Sequence, residues 1–310
     1  MYELLQLQFI IFALIGIGCL VRRKNMVSSE GQKNLTDLVI NVILPCNTVS
    51  AFVQDIPKEG LYDCLWMFMI STGIQIFCVF YGKLAYRNIK DDRRQSLQYG
   101  IMISNAGFWG NAVAEGLYGP TGLMLASIFL TPVRIMMWSE GISLFSGEKD
   151  RKAAVKKVLT HPCVLACIIG IIIMTTKILT GVTIVPAPVH ALLKTLGRCN
   201  TGLSMLVIGM IVSKVRPSDF IDRLVFRYSV ERLVVIPAIV FAVMITLEKA
   251  GCISGDISHL SVLLTAMPAA TTTSILAARY NCAPEFAAKM VIVSTVFSIP
   301  SILLWSLFLI

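Results

Sequence analysis

Two apolar stretches of the sequence contain small and polar residues where a membrane helix would carry leucine or valine. They read SNAGFWGN over residues 104–111 and AMPAATTTS over residues 266–274. Proline removes a backbone donor and interrupts a helix, and asparagine amides need hydrogen-bond partners in hydrocarbon. The ends of an interrupted helix present free N–H groups to an anion and free carbonyls to a cation. We therefore expect two broken helices that bind a solute, with close helix packing by small residues as the alternative.

Arg134 lies near the middle of the apolar run 120–145. Placing a guanidinium there costs at least about 2.5–3.5 kcal/mol on insertion scales, so the side chain must face protein or a wet cavity. We find no acidic residue at matching depth, since Glu115 and Glu231, for example, fall near the ends of other runs. A substrate carboxylate, which guanidinium binds in bidentate fashion, is therefore the expected partner. In the alternative, Arg134 caps backbone carbonyls that a broken helix leaves free.

Four more polar residues lie inside other apolar runs. For Asn47 and Asn200 we favour interhelical hydrogen bonding, with a position in the cavity wall as the alternative. Ser294 and Thr295 are also candidates for the cavity wall, although a hydroxyl usually bonds to the backbone of its own helix.

These residues must be positioned by helices in a membrane. The chain has 310 residues, of which 56% are hydrophobic and 15% charged, and its mean hydropathy is +0.76. Soluble domains have about 25% charged residues, so the composition nearly excludes a soluble globular enzyme. Apolar runs long enough to cross a bilayer recur throughout the chain. We predict ten membrane spans, at residues 2–21, 35–53, 61–85, 97–118, 120–145, 162–180, 189–212, 224–247, 257–280 and 284–310.

Most of the 27 Lys and Arg residues fall in alternate loops of this ten-span arrangement. One basic loop is assigned Arg223, Arg227 and Arg232, whereas the loops on the opposite side contain few basic residues. This distribution follows the positive-inside rule and puts both termini outside the plasma membrane. It also accounts for the formal charge of +9, so we do not expect nucleic acid as a partner.

The sequence contains no motif for catalysis inside a membrane. We find no pair of facing carboxylates, no serine with histidine or lysine at the same depth, and no HExxH motif. The nine cysteines have no CxxC or Cys/His spacing, so we expect free thiols and no metal or cofactor. A channel would line its pore with rings of like groups. A transporter is the best interpretation, with Na⁺ or H⁺ left open as the coupling ion.

Five spans precede the basic segment at residues 146–161 and five follow it. An odd number of spans in each half requires the second half to enter the membrane in the opposite orientation, as in an inverted repeat. The tripeptide Cys-Asn-Thr at residues 46–48 of span 2 recurs at residues 199–201 of span 7. The chain is therefore expected to be an all-α polytopic membrane protein with two inverted five-helix repeats, residues 1–147 and 148–310.

Three segments of the sequence resemble the auxin efflux carrier family, and the likeness covers essentially the full chain. They are residues 10–52 with the motif LPCNTVSAF, residues 104–141 with SNAGFWGNAVAEGLYGP, and residues 263–302 with AMPAATTTS. The chain is most similar to bacterial members described as malate or malonate permeases, which have no long central hydrophilic loop. The resemblance implies a fold similar to bile-acid transporters and sodium/proton antiporters, in which the broken helices of spans 4 and 9 cross.

The resemblance further implies that spans 1, 2, 6 and 7 form a scaffold that dimerises, and that spans 3–5 and 8–10 form a transport domain. Many members carry a proline where Ala112 stands here, so the first break would depend on Gly107 and Gly110. Together with Arg134, the residues expected to bind substrate are Asn105, Gly107, Gly110, Asn111, Met267, Pro268, Thr271 and Thr272.

We predict a secondary active or facilitative transporter that moves a small mono- or dicarboxylate, auxin-like or malate-like, by elevator-type alternating access. Asn105, Asn111 and Thr271 or Thr272 would donate hydrogen bonds to the carboxylate, and Arg134 would supply the positive charge. The expected partners are this organic anion, the lipid bilayer and a second copy of the chain. The alternative is an exporter of a neutral or amino-acid-like metabolite, in which Arg134 has a structural role.

Overall fold

The computed structural model describes residues 2–53, 59–107, 109–146, 160, 162–213, 222–270 and 272–309. Regular structure in these residues is helical, apart from an isolated antiparallel bridge between Ser104 and Ala269. The helices are α1 Tyr2–Arg23, α2 Ser29–Leu38, α3 Leu44–Val53, α4 Glu59–Ala85, α5 Arg93–Met102, α6 Trp109–Trp138, α7 Glu140–Ser146, α8 Pro162–Thr180, α9 Ala187–Gly197, α10 Cys199–Val212, α11 Arg223–Val230, α12 Ile236–Lys249, α13 Gly255–Thr265, α14 Thr272–Arg279 and α15 Pro284–Leu309.

Several helical stretches of the described residues are long and apolar enough to cross a bilayer. There are six of them: Ser29–Val53, Gly60–Ala85, Trp109–Phe145, Pro162–Thr180, Arg223–Lys249 and Pro284–Leu309. They confirm the predicted all-helical class and support a multi-pass integral membrane protein. The finer arrangement of ten spans in two inverted repeats stays a prediction.

The chain forms two compact units. The first contains Met1–Leu65, Phe108–Ile128 and Leu159–Lys214, and the second contains Trp66–Gly107, Phe129–Val158 and Val215–Ile310. Each unit has its own buried side chains. Large examples are Phe52 and Trp109 in the first unit, and Tyr86, Tyr99 and Tyr228 in the second.

Helices α1 and α10 of the first unit approach each other closely because glycines lie at their contact. A Cβ atom on Gly18 would collide with the carbonyl of Leu206, and one on Gly209 would collide with the carbonyl of Ile15. The thiol of Cys19 also donates to the carbonyl of Gly209 over 3.0 Å. Small residues of this kind allow membrane helices to pack backbone against backbone.

Two helices widen into a π turn shortly before a proline. In the first unit the turn Val39–Ile43 precedes Pro45, and in the second unit the turn Glu231–Val235 precedes Pro237. Proline has no N–H group and its ring clashes with the carbonyl four residues earlier, so a regular helix cannot continue through it without adjustment. Pro237 leaves the carbonyl of Leu233 without its helical donor. That carbonyl instead accepts hydrogen bonds from Ser301 Oγ at 3.1 Å and Trp305 Nε1 at 2.9 Å.

Helix α6 is interrupted once within its length. Gly119 has φ +62° and ψ −154°, so it breaks α6 into two helices. Glycine adopts this positive φ without the steric penalty that a side chain would introduce. The break falls between the predicted spans 97–118 and 120–145, at the position that the sequence assigns to the connection between them.

Candidate functional site

The two stretches predicted to be interrupted are both interrupted, and they meet within the second unit. Residues 103–107 follow helix α5 and residues 266–270 follow helix α13; we call these two segments the crossing. They run antiparallel and are joined by two backbone hydrogen bonds, from Asn105 N to Pro268 O at 2.8 Å and from Ala270 N to Ile103 O at 3.3 Å. The crossing is therefore held together by peptide groups.

Local residue types explain why both helices end here. Pro268 cannot donate a backbone hydrogen bond, and in a continued helix its ring would clash with the carbonyl of Leu264. On the other segment, Asn105–Gly107 form a single 3₁₀ turn before α6 begins at Trp109. Gly107 faces Arg134, since a Cβ atom on this glycine would lie in ordinary contact with Nη2 of Arg134, at 3.8 Å.

Arg134 is buried beside this turn without a counter-ion among the described residues. Its residue surface is 6% exposed, and the described salt bridges join other residues. The Nη1 atom is buried and has no hydrogen-bond partner in the part of the chain that the structure describes. A buried charge is normally paired or hydrogen-bonded, so the surroundings of Nη1 among the described residues are unusual.

A second buried arginine holds the crossing together. Arg232 is 2% exposed. Its Nη1 donates to the carbonyl of Ile101 over 2.7 Å, and its Nε donates to the carbonyl of Met267 over 3.1 Å. The carbonyl of Ile101 lies in the last turn of α5, where a helix carries partial negative charge, and Met267 lies two residues after α13 ends. The carbonyl-capping role that the sequence offers as the alternative for Arg134 is thus performed by Arg232.

The assignment of Arg232 to a basic loop is wrong. The residue lies in the π turn between α11 and α12, inside the candidate span Arg223–Lys249. Neighbouring arginines made it resemble a loop residue. Its position well inside the apolar run 224–247 was the signal that could have identified it as a buried residue of a membrane span. By contrast, Arg227 is half-exposed and pairs with Glu231 at 2.7 Å.

Further predicted residues surround the crossing in the second unit. Thr272 accepts a hydrogen bond at 3.0 Å from the hydroxyl of the buried Tyr99. Ser294 is buried and accepts a hydrogen bond from the backbone N of Ala269 at 3.3 Å. Thr295, also buried, donates to a carbonyl of its own helix, as expected for a helical hydroxyl. Thr271 lies outside the described residues.

Asn47 and Asn200 converge on one carboxylate within the first unit. Both Nδ2 atoms donate to Oε2 of Glu115, at 2.9 Å from Asn47 and 3.3 Å from Asn200. The hydroxyl of Ser204 donates a hydrogen bond to Oδ1 of Asn200 over 3.3 Å. The favoured interpretation of the two asparagines as interhelical hydrogen-bond donors agrees with this geometry. Their common partner Glu115 was missed, because its sequence position suggested only the end of a span.

Gly110 and Asn111 lie in the first turn of α6, which belongs to the first unit at this point. Asn111 is 1% exposed, and neither its amide nitrogen nor its amide oxygen has a partner among the described residues. The indole Nε1 of Trp109 is also buried without a described partner. Unsatisfied buried polar groups are uncommon and destabilising, so these two side chains stand out among the described residues.

The polar groups around the crossing are all able to form hydrogen bonds. They offer a guanidinium, amides, hydroxyls and peptide groups. In the part of the chain that the structure describes, no three His, Cys, Asp or Glu side chains are grouped so that they could hold a metal ion. The described cysteines form no disulfide bond with one another.

The similarity to known proteins extends over nearly the whole chain. The family model described as Membrane transport protein matches residues 4–158 and 150–306. An uncharacterized transporter of Methanocaldococcus jannaschii is 24% identical over 308 residues, which cover 96% of each chain. An uncharacterized transporter of Methanothermobacter thermautotrophicus is 24% identical, again over 96% of each chain. The uncharacterized transporter YfdV of Escherichia coli K12 is 22% identical over 87% of this chain and 86% of its own length.

Proposed function

Since the chain belongs to the family of membrane transport proteins that includes the auxin efflux carriers, we propose that it transports a small organic anion. The proposed substrate is a mono- or dicarboxylate of auxin-like or malate-like size. The observation that carries this proposal is the burial of Arg134 beside Gly107 with Nη1 lacking a described partner. A carboxylate offers two oxygens to the planar guanidinium and would compensate its charge.

The groups of the second unit supply the remaining contacts in this proposal. Asn105 and Thr272 donate hydrogen bonds to the substrate, and Met267 and Pro268 give the crossing its shape. The 3₁₀ turn that contains Gly107 lies beside the guanidinium of Arg134. The roles predicted for Gly110, Asn111 and Thr271 stay part of the same proposal, as does a contribution of Ser294 and Thr295 to the cavity wall.

The proposed transport mechanism uses the architecture predicted from the sequence. Ten spans form two inverted five-helix repeats, with both termini outside the plasma membrane and two copies of the chain joined through scaffold spans. Spans 3–5 and 8–10 carry the substrate by an elevator movement, either coupled to an ion gradient or facilitative. The two breaks joined at the crossing support this proposal, because broken helices bind substrates in many secondary transporters.

A neutral or amino-acid-like substrate is the second candidate. The amide of Asn111, buried with both polar atoms lacking a described partner, favours it because such an amide can bind uncharged polar groups. In this case Arg134 has a structural role, and removing its charge lowers the stability of the protein without changing its ligand preference.

Ligand-induced thermal stabilisation of the purified protein distinguishes the two candidates. The panel contains mono- and dicarboxylates, amino acids and neutral metabolites, and a ligand that binds only the folded state raises the melting temperature. Wild type is compared with Arg134→Gln, and with Arg93→Gln as a control that removes the charge of a partly exposed arginine. We expect a carboxylate to stabilise wild type and the control but not Arg134→Gln. Equal stabilisation of a folded Arg134→Gln by the same carboxylate would contradict the proposal.

A further inference from the structure

Arg232 occupies the position at which the broken helices would otherwise offer carbonyl oxygens to a metal ion. In transporters with broken helices, the carbonyls and C-terminal ends of the half-helices coordinate the coupling cation. Here the two carbonyls, those of Ile101 and Met267, accept hydrogen bonds from one guanidinium. Ile101 lies in the last turn of α5 and Met267 lies two residues after α13 ends, so a single side chain bridges the two chain segments that meet at the crossing.

The charges at this point balance without an additional ion. Each helix C-terminus carries roughly −0.5 elementary charge, so two of them together roughly offset one guanidinium. No salt bridge of Arg232 occurs among the described residues. The neighbouring Glu231 instead accepts hydrogen bonds from Tyr86 at 2.5 Å and Arg227 at 2.7 Å. A metal cation entering beside Arg232 would meet a positive charge and carbonyls that are already bonded.

The π turn explains how Arg232 reaches the crossing. Residues Glu231–Val235 form the turn ahead of Pro237, and a π turn changes the direction in which the next side chains leave the helix. Both Glu231 and Arg232 are buried within it, yet they bond to different partners. The arginine is therefore part of the packed unit and not a surface residue that folds inward.

We propose that Arg232 is a built-in cation that replaces a coupling ion at the crossing, so that the crossing binds neither Na⁺ nor K⁺. It is a positioning residue, because it acts on the substrate only through the backbone segments that it joins. The consequence for transport, a cycle that needs no metal cation at this point, rests on the proposed function. The occupation of the cation position by Arg232 is independent of any substrate.

Chemical rescue tests this proposal on the purified full-length protein. Arg232→Ala removes the guanidinium and leaves a space beside the two carbonyls. Melting temperatures are measured in methylguanidinium, sodium, potassium or choline chloride at one ionic strength. We expect a lower melting temperature for Arg232→Ala than for wild type, and a rise of several degrees when methylguanidinium replaces choline. Wild type should melt at the same temperature in all four salts.

Arg227→Ala is the matched control, since Arg227 also donates to a carbonyl, that of Ala85, but lies at a half-exposed position. Methylguanidinium should not raise its melting temperature. A folded Arg232→Ala that responds no more than Arg227→Ala overturns the proposal. The proposal is also overturned if the melting temperature of wild type is higher in sodium or potassium chloride than in choline chloride.

Arg232→Lys provides a second variant in case the alanine variant does not fold. Its ammonium keeps the charge but loses the planar fork that bonds two carbonyls. We expect it to fold with a melting temperature below that of wild type and unchanged between sodium and choline; a sodium-dependent rise in its melting temperature would overturn the proposal. None of these measurements uses a transported substrate. The proposal for Arg232 and the organic-anion proposal can therefore fail independently of each other.

Discussion

The second unit contains two buried arginines whose surroundings differ in kind. Arg232 is 2% exposed and donates to two carbonyls at helix ends. Arg134 is 6% exposed, and its Nη1 is buried without a partner among the described residues. Burial is nearly equal, so burial does not distinguish their roles. The partners do: the first arginine bonds two carbonyls of the folded unit, and the second is the one proposed to bind the substrate.

The same difference predicts opposite effects of substitution on stability and on binding. Removing a guanidinium that bonds two buried carbonyls leaves both acceptors unsatisfied, which destabilises the fold. Removing one that is buried without a full set of partners relieves a desolvated charge, so the fold loses little. The following substitutions test this contrast, beginning with the largest expected effect.

Arg232→Met should give the largest loss of stability. Methionine fills similar space, but the carbonyls of Ile101 and Met267 lose charge-assisted hydrogen bonds of about 1.5–3 kcal/mol each. We expect the free energy of unfolding to fall by about 3–5 kcal/mol, measured by reversible denaturation in detergent micelles. The comparison is Arg227, which is half-exposed and pairs with the buried Glu231. Because Tyr86 still donates to that carboxylate, Arg227→Met should lose less, about 1.5–3 kcal/mol. Equal losses in the two variants would remove the contrast.

Arg134→Gln should have its main effect on binding. A carboxylate that binds the guanidinium in bidentate fashion should lose 10- to 100-fold in affinity, or about 1.4–2.7 kcal/mol. Because the charge is buried without a described partner for Nη1, the melting temperature of the ligand-free variant should equal or exceed that of wild type. Isothermal titration and thermal unfolding measure the two quantities. A variant that is clearly less stable without ligand would give Arg134 the same kind of role as Arg232.

Asn47→Ala tests a hydrogen bond to a partly buried carboxylate of the first unit. Its amide donates to the Glu115 carboxylate over 2.9 Å, and hydrogen bonds to charged groups contribute about 1.5–3 kcal/mol. We expect a stability loss near the lower end of that range, and a smaller one for Asn200→Ala, whose bond is longer at 3.3 Å. Chemical denaturation gives both values. Reversal of this order would show that hydrogen-bond length is not what separates the two asparagines.

Tyr99→Phe should have the smallest effect of the series. It removes a neutral hydrogen bond to Thr272 beside the crossing and keeps the buried ring, so the expected loss is about 0.5–1.5 kcal/mol. Substrate affinity should change less than it does in Arg134→Gln. A larger loss of affinity in Tyr99→Phe than in Arg134→Gln would move the centre of the proposed site from the guanidinium to the hydroxyl pair.

Features with a local cause were predictable from the sequence. Pro268 and the Asn105–Gly107 segment act on their own backbone, so both helix breaks could be predicted. The run at 162–180 agrees with helix Pro162–Thr180, because length and hydropathy determine such a helix. The burial of Arg134 followed from its depth in a long apolar run.

Features that depend on distant contacts could not be predicted. Arg232 bonds to residues 131 and 35 positions away, and no local pattern specifies those partners. The π turn that contains it depends on Pro237 and on donors from α15, which are also distant in sequence. Glu115 acquires its role only when Asn47 and Asn200 come together, although both asparagines lie in the same Cys-Asn-Thr tripeptide.

The crossing is joined through backbone atoms, and this has a consequence for how the protein can diverge. Asn105 N bonds Pro268 O, and Ala270 N bonds Ile103 O; neither bond uses a side chain. Substitutions at these positions can therefore alter the chemistry offered to a solute while the joint itself persists. Family members as divergent as relatives with 22–24% identity can in this way differ in substrate preference while keeping the same backbone hydrogen bonds.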